Sequence, residues 1–292
     1  MLLWLLRLFA RLPLPVIHAL GVAVGWALYF GLPKDAARMQ ENLRTSGLCP
    51  DEASFRRMLR RNVAESGKGL LETFAIWFRS PQHALLWVRA CHGWDHVEAA
   101  LAAGRGIIFL TPHLGCFEIA ALYYAAHHPI NVLYRPPRKA WLAPLIQTGR
   151  ARGQYKLAPT NMKGVRGLLQ SLKRGEAIGI LPDQVPSTGE GEWAPFFGRP
   201  AYTMTLVSRL AEATDAAVFM VFGERLRGGK GYALHFRPLP EGSVTTAAAL
   251  NASVEQLIRQ CPEQYLWGYH RFKAPRGAAP VPAAAGALES GH

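Results

Sequence analysis

An α/β fold is what this 292-residue chain predicts: a central mixed β-sheet flanked by helices, preceded by an N-terminal hydrophobic membrane-anchoring helix. Three observations carry that reading. Beyond Gly104, short apolar runs alternate with longer helix-like segments, the order that builds a sheet with helices packed on its faces. Residues 34–100 read as mainly helical. From Leu12 to Pro33 there is no Asp, Glu, Lys or Arg.

The amino terminus comes first. Met1 to Phe9 is apolar apart from Arg7, and about twenty apolar residues can cross a bilayer as a helix. Pro13, Pro15 and three glycines make the span imperfect, so a helix lying in one leaflet is a second reading. A buried first helix of the domain is a third. No small-x-small cleavage site precedes the charged segment, which argues against a cleaved signal peptide. Lys34, Arg38, Arg44, Arg56, Arg57, Arg60 and Arg61 follow, and this excess of positive charge puts the body of the protein in the cytoplasm. Arg56, Arg57, Arg60 and Arg61 recur at helical spacing, while Phe55, Met58, Leu59 and Val63 fall on another face. Such a helix suits anionic lipid headgroups, or is an ordinary helix with a solvated arginine face. Leu70, Leu71, Phe74, Trp77 and Phe78 add an apolar stripe.

The sheet region follows. Strands are predicted over Gly106–Leu110, Asn131–Arg135, Ala177–Leu181, Ala216–Phe222 and Tyr232–Arg237. Helices are predicted over Ile119–Ala126, Ala140–Ala151, Lys163–Arg174, Tyr202–Ala213 and Ala247–Gln260, with Gly164 and Gly175 as punctuation. The division is therefore residues 1–33 as anchor, 34–273 as the main domain, and 274–292, rich in Ala, Pro and Gly, as a flexible tail.

The stretch Thr111-Pro112-His113-Leu114-Gly115-Cys116-Phe117-Glu118 lies between the first of these strands and the first of these helices. His113 then sits at the edge of an open α/β sheet where ligands collect, and Glu118 near the first turn of the next helix. A neutral imidazole there can take a proton from a hydroxyl, and a nearby carboxylate can orient the ring. The positive end of the helix opposes a resting imidazolium and so favours the neutral base. A His five residues before a Glu also arises by chance; the strand-end placement is what raises the pair above that. Cys116 reads as a small apolar residue, since nothing argues for an activated thiolate. Other polar residues fall at strand ends: Tyr134-Arg135-Pro136-Pro137, and Asp183-Gln184 after Leu181. Arg150 and Arg152 close the intervening helix and either receive an anionic group or serve as surface charge or an ion pair with Asp183.

Composition bounds the partners. The 33 Lys and Arg against 20 Asp and Glu give a formal charge of +13, which calls for an acidic partner. The basic residues follow a membrane-like segment and no nucleic-acid motif is visible, so an anionic membrane surface or an acidic protein is favoured over nucleic acid. The four cysteines form no CxxC pair, and no metal-ligand spacing is present. Monomer is the default without an assembly signal.

The ordered set of short motifs resembles the late acyltransferases of lipid A biosynthesis, bacterial inner-membrane enzymes that add secondary acyl chains to the lipopolysaccharide anchor. It comprises Glu41-Asn42-Leu43-Arg44, His113 with Glu118, Tyr134-Arg135-Pro136, Gln147-Thr148-Gly149-Arg150, Leu181-Pro182-Asp183-Gln184 and Pro195-Phe196-Phe197-Gly198. Glu263-Gln264-Tyr265-Leu266-Trp267 and His270-Arg271-Phe272-Lys273 complete it. The resemblance implies a glycerol-3-phosphate-acyltransferase-like sheet and acyl transfer from acyl carrier protein to a hydroxyl of a lipid A precursor, with no cofactor. It implies His113 and Glu118 as the catalytic pair, Arg150 and Asp183 as supporting residues, and Arg135 in binding. Another glycolipid or aminolipid acceptor, or a membrane-docked binding module without chemistry, are the competing readings.

Overall fold

The computed structural model describes residues 2–137, 142–150, 152 and 154–281. The apolar amino terminus folds as two helices, α1 (Leu2–Phe9) and the charge-free α2 (Leu14–Gly31), broken at Pro13. Pro33 opens α3 (Pro33–Thr45), where its missing N–H is no loss. The long helix α4 (Glu52–Phe78) starts at a capping box: the Asp51 side chain accepts from the Ser54 N–H, and the Ser54 hydroxyl accepts from the Asp51 N–H. Arg56, Arg57, Arg60 and Arg61 are all exposed on α4, while Phe55 and Val63 are buried, so the expected two-faced helix is present. After α5 (Pro81–Leu85) come β1 (Val88–His92), α6 (Trp94–Ala102), β2 (Ile107–Leu110), α7 (Phe117–His127), β3 (Ile130–Tyr134) and α8 (Leu142–Arg150). Then follow β4 (Tyr155–Pro159), α9 (Met162–Lys173), β5 (Ala177–Ile180), β6 (Gly191–Phe196), β7 (Arg199–Met204), α10 (Leu206–Glu212), β8 (Ala217–Arg225), β9 (Tyr232–Pro238) and α11 (Ala247–Ile258).

Seven strands form one mixed sheet in the order β1-β9-β8-β2-β5-β3-β4. All pairs are parallel except β8 with β9. β2 lies between β8 and β5, and its four residues are buried on both faces. With a period of two, Ile108 and Leu110 enter one core with Ile178 and Leu168, while Ile107 and Phe109 enter the other with Ala120 and Tyr124. A near-continuous apolar run is what a doubly covered parallel strand demands. The chain order switches direction around β2, which places the loop after Leu110 at the edge where such sheets bind ligands.

Three departures from the sequence reading have clear causes. The helix expected from Tyr202 begins only at Leu206, because Tyr202–Met204 pairs with Gly191–Trp193 in a two-stranded hairpin. β1 and β4 were not foreseen: they occupy the two sheet edges, so their partly exposed residues lack the apolar run of a central strand. The ends of the helix expected over residues 140–151, and residues 282–292 of the tail, lie outside the described residues.

One buried charge cluster ties α2, α4 and β8 together. The Arg225 guanidinium donates to Glu72 at 2.7–2.9 Å and to Glu65 at 2.8 Å. Glu72 also accepts from the Tyr232 hydroxyl at 2.9 Å and lies 3.1 Å from Nε2 of His18. Burial opposes ionisation of Glu72, but Arg225 and His18 outweigh it and hold its carboxyl at about 2. The folded value is depressed, so the contribution is complete above the ordinary value of 4.5 and is lost as pH falls toward about 2. Such a shift corresponds to on the order of 3 kcal/mol. Denaturant titrations from pH 6 to 3 are expected to show wild-type stability falling more steeply than that of Glu72→Gln; equal slopes would remove Glu72 as the acid-labile group.

Candidate active site

The loop after β2 is stitched in place on both sides. Thr111 N–H donates to Ile180 O at 2.9 Å, extending the parallel ladder past the strand end. Gly115 N–H donates to Gln264 O at 3.1 Å, Cys116 N–H to Gly223 O at 2.7 Å, and Leu266 N–H to His113 O at 3.0 Å. Gly115 has φ of 59°, and a Cβ there would stand 2.1 Å from Gly223 O, so glycine is required on both counts. His113 is thereby held between the core strands and the segment 264–266.

The carboxylate on the His113 ring is Asp183. Nδ1 lies 3.0 and 3.1 Å from the two Asp183 oxygens, and the His113 backbone N–H donates to Oδ2 at 3.0 Å. Asp183 is 1% exposed. Burial works against its ionisation, but the charge and hydrogen bonds of His113 and the charge of Arg271 outweigh this and hold the carboxyl below its usual value. An ionised Asp183 makes Nδ1 the protonated nitrogen and leaves Nε2 with a free lone pair. Tyr269 stacks on the imidazole at 5.4 Å and 21°, and Phe117 meets it edge-on at 5.4 Å. The Tyr269 hydroxyl in turn accepts from Val185 N–H at 3.0 Å, so the ring is fixed from three directions.

Glu118, expected to orient that ring, has a different partner. Arg150 Nε donates to its two oxygens at 3.0 and 3.2 Å, and a third, shorter contact runs from Nη2 to Oε1. Both groups are largely buried. Burial alone would lower the Arg150 pKa, but the Glu118 carboxylate raises it above the ordinary arginine value, so the guanidinium stays charged. The guanidinium also lies over Trp77, 5.5 Å from the ring centroid. Arg150 therefore does not pair with Asp183. Arg152 is no anion site either: it donates to Ile76 O at 2.7 Å and to Arg79 O, occupying carbonyls at the end of α4.

A cleft of about 230 Å³ opens here, lined by His113, Phe117 and Glu118, by Glu65, Gly69, Leu70 and Thr73 of α4, and by Leu266. Cys116 borders it, yet burial, with the Glu72 charge beside it, pushes its thiol well above the ordinary value, which leaves it inert as a nucleophile. A second, larger groove of about 730 Å³ lies between α9 and α10. Its walls include Leu133, Val165, Leu169 and Leu210, and Arg135, Arg166 and Arg209 are among its lining residues. Arg135 joins the groove to the site, since it donates to Val185 O at 3.2 Å, two residues beyond Asp183.

Four of the five residues singled out from sequence thus form two pairs, the hydrogen-bonded His113–Asp183 and the ion pair Glu118–Arg150. Tyr269, Phe117 and Arg271 were missed as site residues. Arg271 stood in a quoted motif without a role, and nothing in the local pattern around Tyr269 signals that its ring faces His113.

A carboxylate-held histidine at the carboxyl edge of a doubly covered sheet, near a groove with apolar and arginine lining, is an arrangement with which an α/β enzyme can carry out acid–base group transfer. The family described as bacterial lipid A biosynthesis acyltransferase matches residues 1–274. The chain is 31% identical to the lipid A biosynthesis lauroyltransferase of Escherichia coli K12 over 93% of this chain and 90% of that one. It is 30% identical to the palmitoleoyltransferase of the same organism, covering 92% and 88%. A lipid A biosynthesis acyltransferase of Haemophilus influenzae is 27% identical, covering 90% and 86%. The chain belongs to the bacterial lipid A biosynthesis acyltransferase family, and its activity is acyl transfer in that biosynthesis.

Proposed function

We propose that this enzyme transfers a fatty acyl chain from acyl carrier protein to a hydroxyl of a lipid A precursor, on the cytoplasmic side of the bacterial inner membrane. His113 is the general base and Glu118 assists. The observation that carries this reading is the contact of His113 Nδ1 with Asp183, which leaves Nε2 basic on a residue lining the cleft. Nε2 takes the acceptor hydroxyl proton as the oxygen attacks the thioester carbonyl. The C–S bond then breaks, and the imidazolium returns the proton to the departing sulfur. Asp183 stabilises the imidazolium by its charge. Glu118, neutralised by Arg150, contributes a fixed carboxylate to the same cleft without adding net charge.

Arg135 and the groove support a place for the donor. Apolar walls suit an acyl chain, and the arginines suit the phosphate of a carrier arm and an acidic carrier surface. The positive end of α7, which has no side-chain cap, lies at the cleft and favours negative charge developing on the thioester oxygen. The net charge of +13 agrees with acidic partners on every side.

Mass spectrometry of lipid A tests the reading, using a host that lacks its own late acyltransferases and carries either wild type or His113→Ala. The expected result is a mass increase of one acyl chain with wild type only. No increase despite membrane expression and a suitable donor pool would point to another acceptor lipid or to a binding module.

A further inference from the structure

We infer that α2, although long and apolar enough to cross a bilayer, does not cross it: the chain is monotopic, with α1 and α2 lying flat in one leaflet. This rests on the membrane-surface reading above and adds the geometry of that contact.

The argument starts from what α2 touches. Its eighteen residues extend about 27 Å, close to the thickness of a hydrocarbon core. Yet the folded domain meets it from end to end. Arg79 donates to Ala10 O and Leu12 O just before the helix, and Gly229 lies against Pro15. His18 meets Glu72, and Gly21 lies against the Lys68 backbone. Gly25 is so close that a Cβ would stand 2.3 Å from Val63 O, and one on Gly67 would stand 2.1 Å from Gly21 O. Near the other end, Gln40 donates to the Tyr29 hydroxyl at 2.6 Å. An upright α2 would therefore carry Glu65, Lys68, Glu72 and Arg225 to bilayer depth, together with parts of a sheet whose loops cannot satisfy their backbone groups there.

The remaining face says what covers it. Val16, Ala19, Leu20, Ala23, Ala27, Leu28 and Phe30 are exposed along α2, and Leu3, Trp4, Leu5 and Leu8 along α1. Phe30 is 74% exposed and Trp4 65%. The polar side of an interfacial helix is here replaced by the protein itself, and the apolar side is left for lipid tails. Arg7 and Arg11, both exposed, flank the α1 end and suit anionic headgroups. A consequence follows for substrate entry. The helix that carries α2 also walls the cleft at His113, and Leu70 on that wall is exposed, so a lipid acceptor reaches the base by lateral movement within the leaflet.

Spin labels at Val16→Cys, Leu20→Cys, Ala23→Cys, Ala27→Cys and Phe30→Cys test this, each in the full chain with Cys49→Ser and Cys91→Ser, on vesicles of phosphatidylethanolamine and phosphatidylglycerol. Cys116 and Cys261 are buried and stay. Power-saturation depths are expected to be similar at all five sites, about 5–10 Å below the headgroups. A single deep maximum at Ala23 with shallow ends would overturn the flat arrangement and leave membrane association standing. No lipid contact at any site would overturn both.

Discussion

His113→Ala is expected to lower turnover by about 10²- to 10⁴-fold, the range for removing a positioned general base. The loss alone would not distinguish chemistry from folding, because the substitution also strips Asp183 of its ring partner. Asp183 is buried, and after the change it would keep the backbone N–H of residue 113 and the more distant charge of Arg271 but lose the imidazole. A buried carboxylate left so poorly paired is destabilising. His113→Asn separates the two effects. Its amide can still donate to Asp183 but has no basic nitrogen. We expect the alanine variant to lose turnover and several degrees of thermal stability, and the asparagine variant to lose turnover with stability near wild type. Turnover retained by the asparagine variant would show that position 113 serves the loop's architecture and not the proton transfer.

How much of this was legible beforehand depended on how local each signal is. The central strands were readable because a strand buried on both faces needs an uninterrupted apolar run, as in Ile107–Leu110 and Ala177–Ile180. The helices expected over Lys163–Arg174 and Ala247–Gln260 match α9 and α11 closely, and the structure caps their starts with the Asn161 and Thr246 side chains. Edge strands were not readable. β4 carries an exposed Lys156 and ends on Pro159, which suits an edge and disguises a strand. The hairpin β6–β7 was hidden for a related reason, since Pro195 and Pro200 face one another across it.

The candidate site divides in the same way. His113 and Asp183 were found because each follows a core strand, so topology alone puts both at one sheet edge. Which carboxylate meets which cation was not readable. Glu118 is five residues from His113 in sequence, yet the ring turns to Asp183, seventy residues away, and Glu118 turns to Arg150, thirty-two away. Sequence spacing fixes the position of a backbone; the direction of a side chain is set by packing, here by Tyr269 and Phe117 on one ring and Trp77 beneath the guanidinium. The same limit applies to α2. Hydropathy measures how apolar a helix is, whereas the glycine contacts with Gly67 decide whether its partner is lipid or protein.

The second large effect concerns Glu118, whose pairing with Arg150 makes two roles possible. Glu118→Gln leaves a buried guanidinium without its carboxylate, for which a cost of about 3–5 kcal/mol is expected. For a chain of this size that is a drop in melting temperature of roughly 10 °C. Loss of activity in such a variant could then arise from the disturbed start of α7 alone. The pair replacement Glu118→Leu with Arg150→Met removes both charges and fills the space with apolar groups, a change that is often neutral for stability. If Glu118 takes part in the reaction as proposed, the double variant regains the melting temperature of the wild type and stays inactive. If turnover returns along with stability, the carboxylate serves only to hold Arg150. The catalytic assignment would then contract to His113 with Asp183 behind it, and Glu118 would be a helix-anchoring residue that happens to line the cleft.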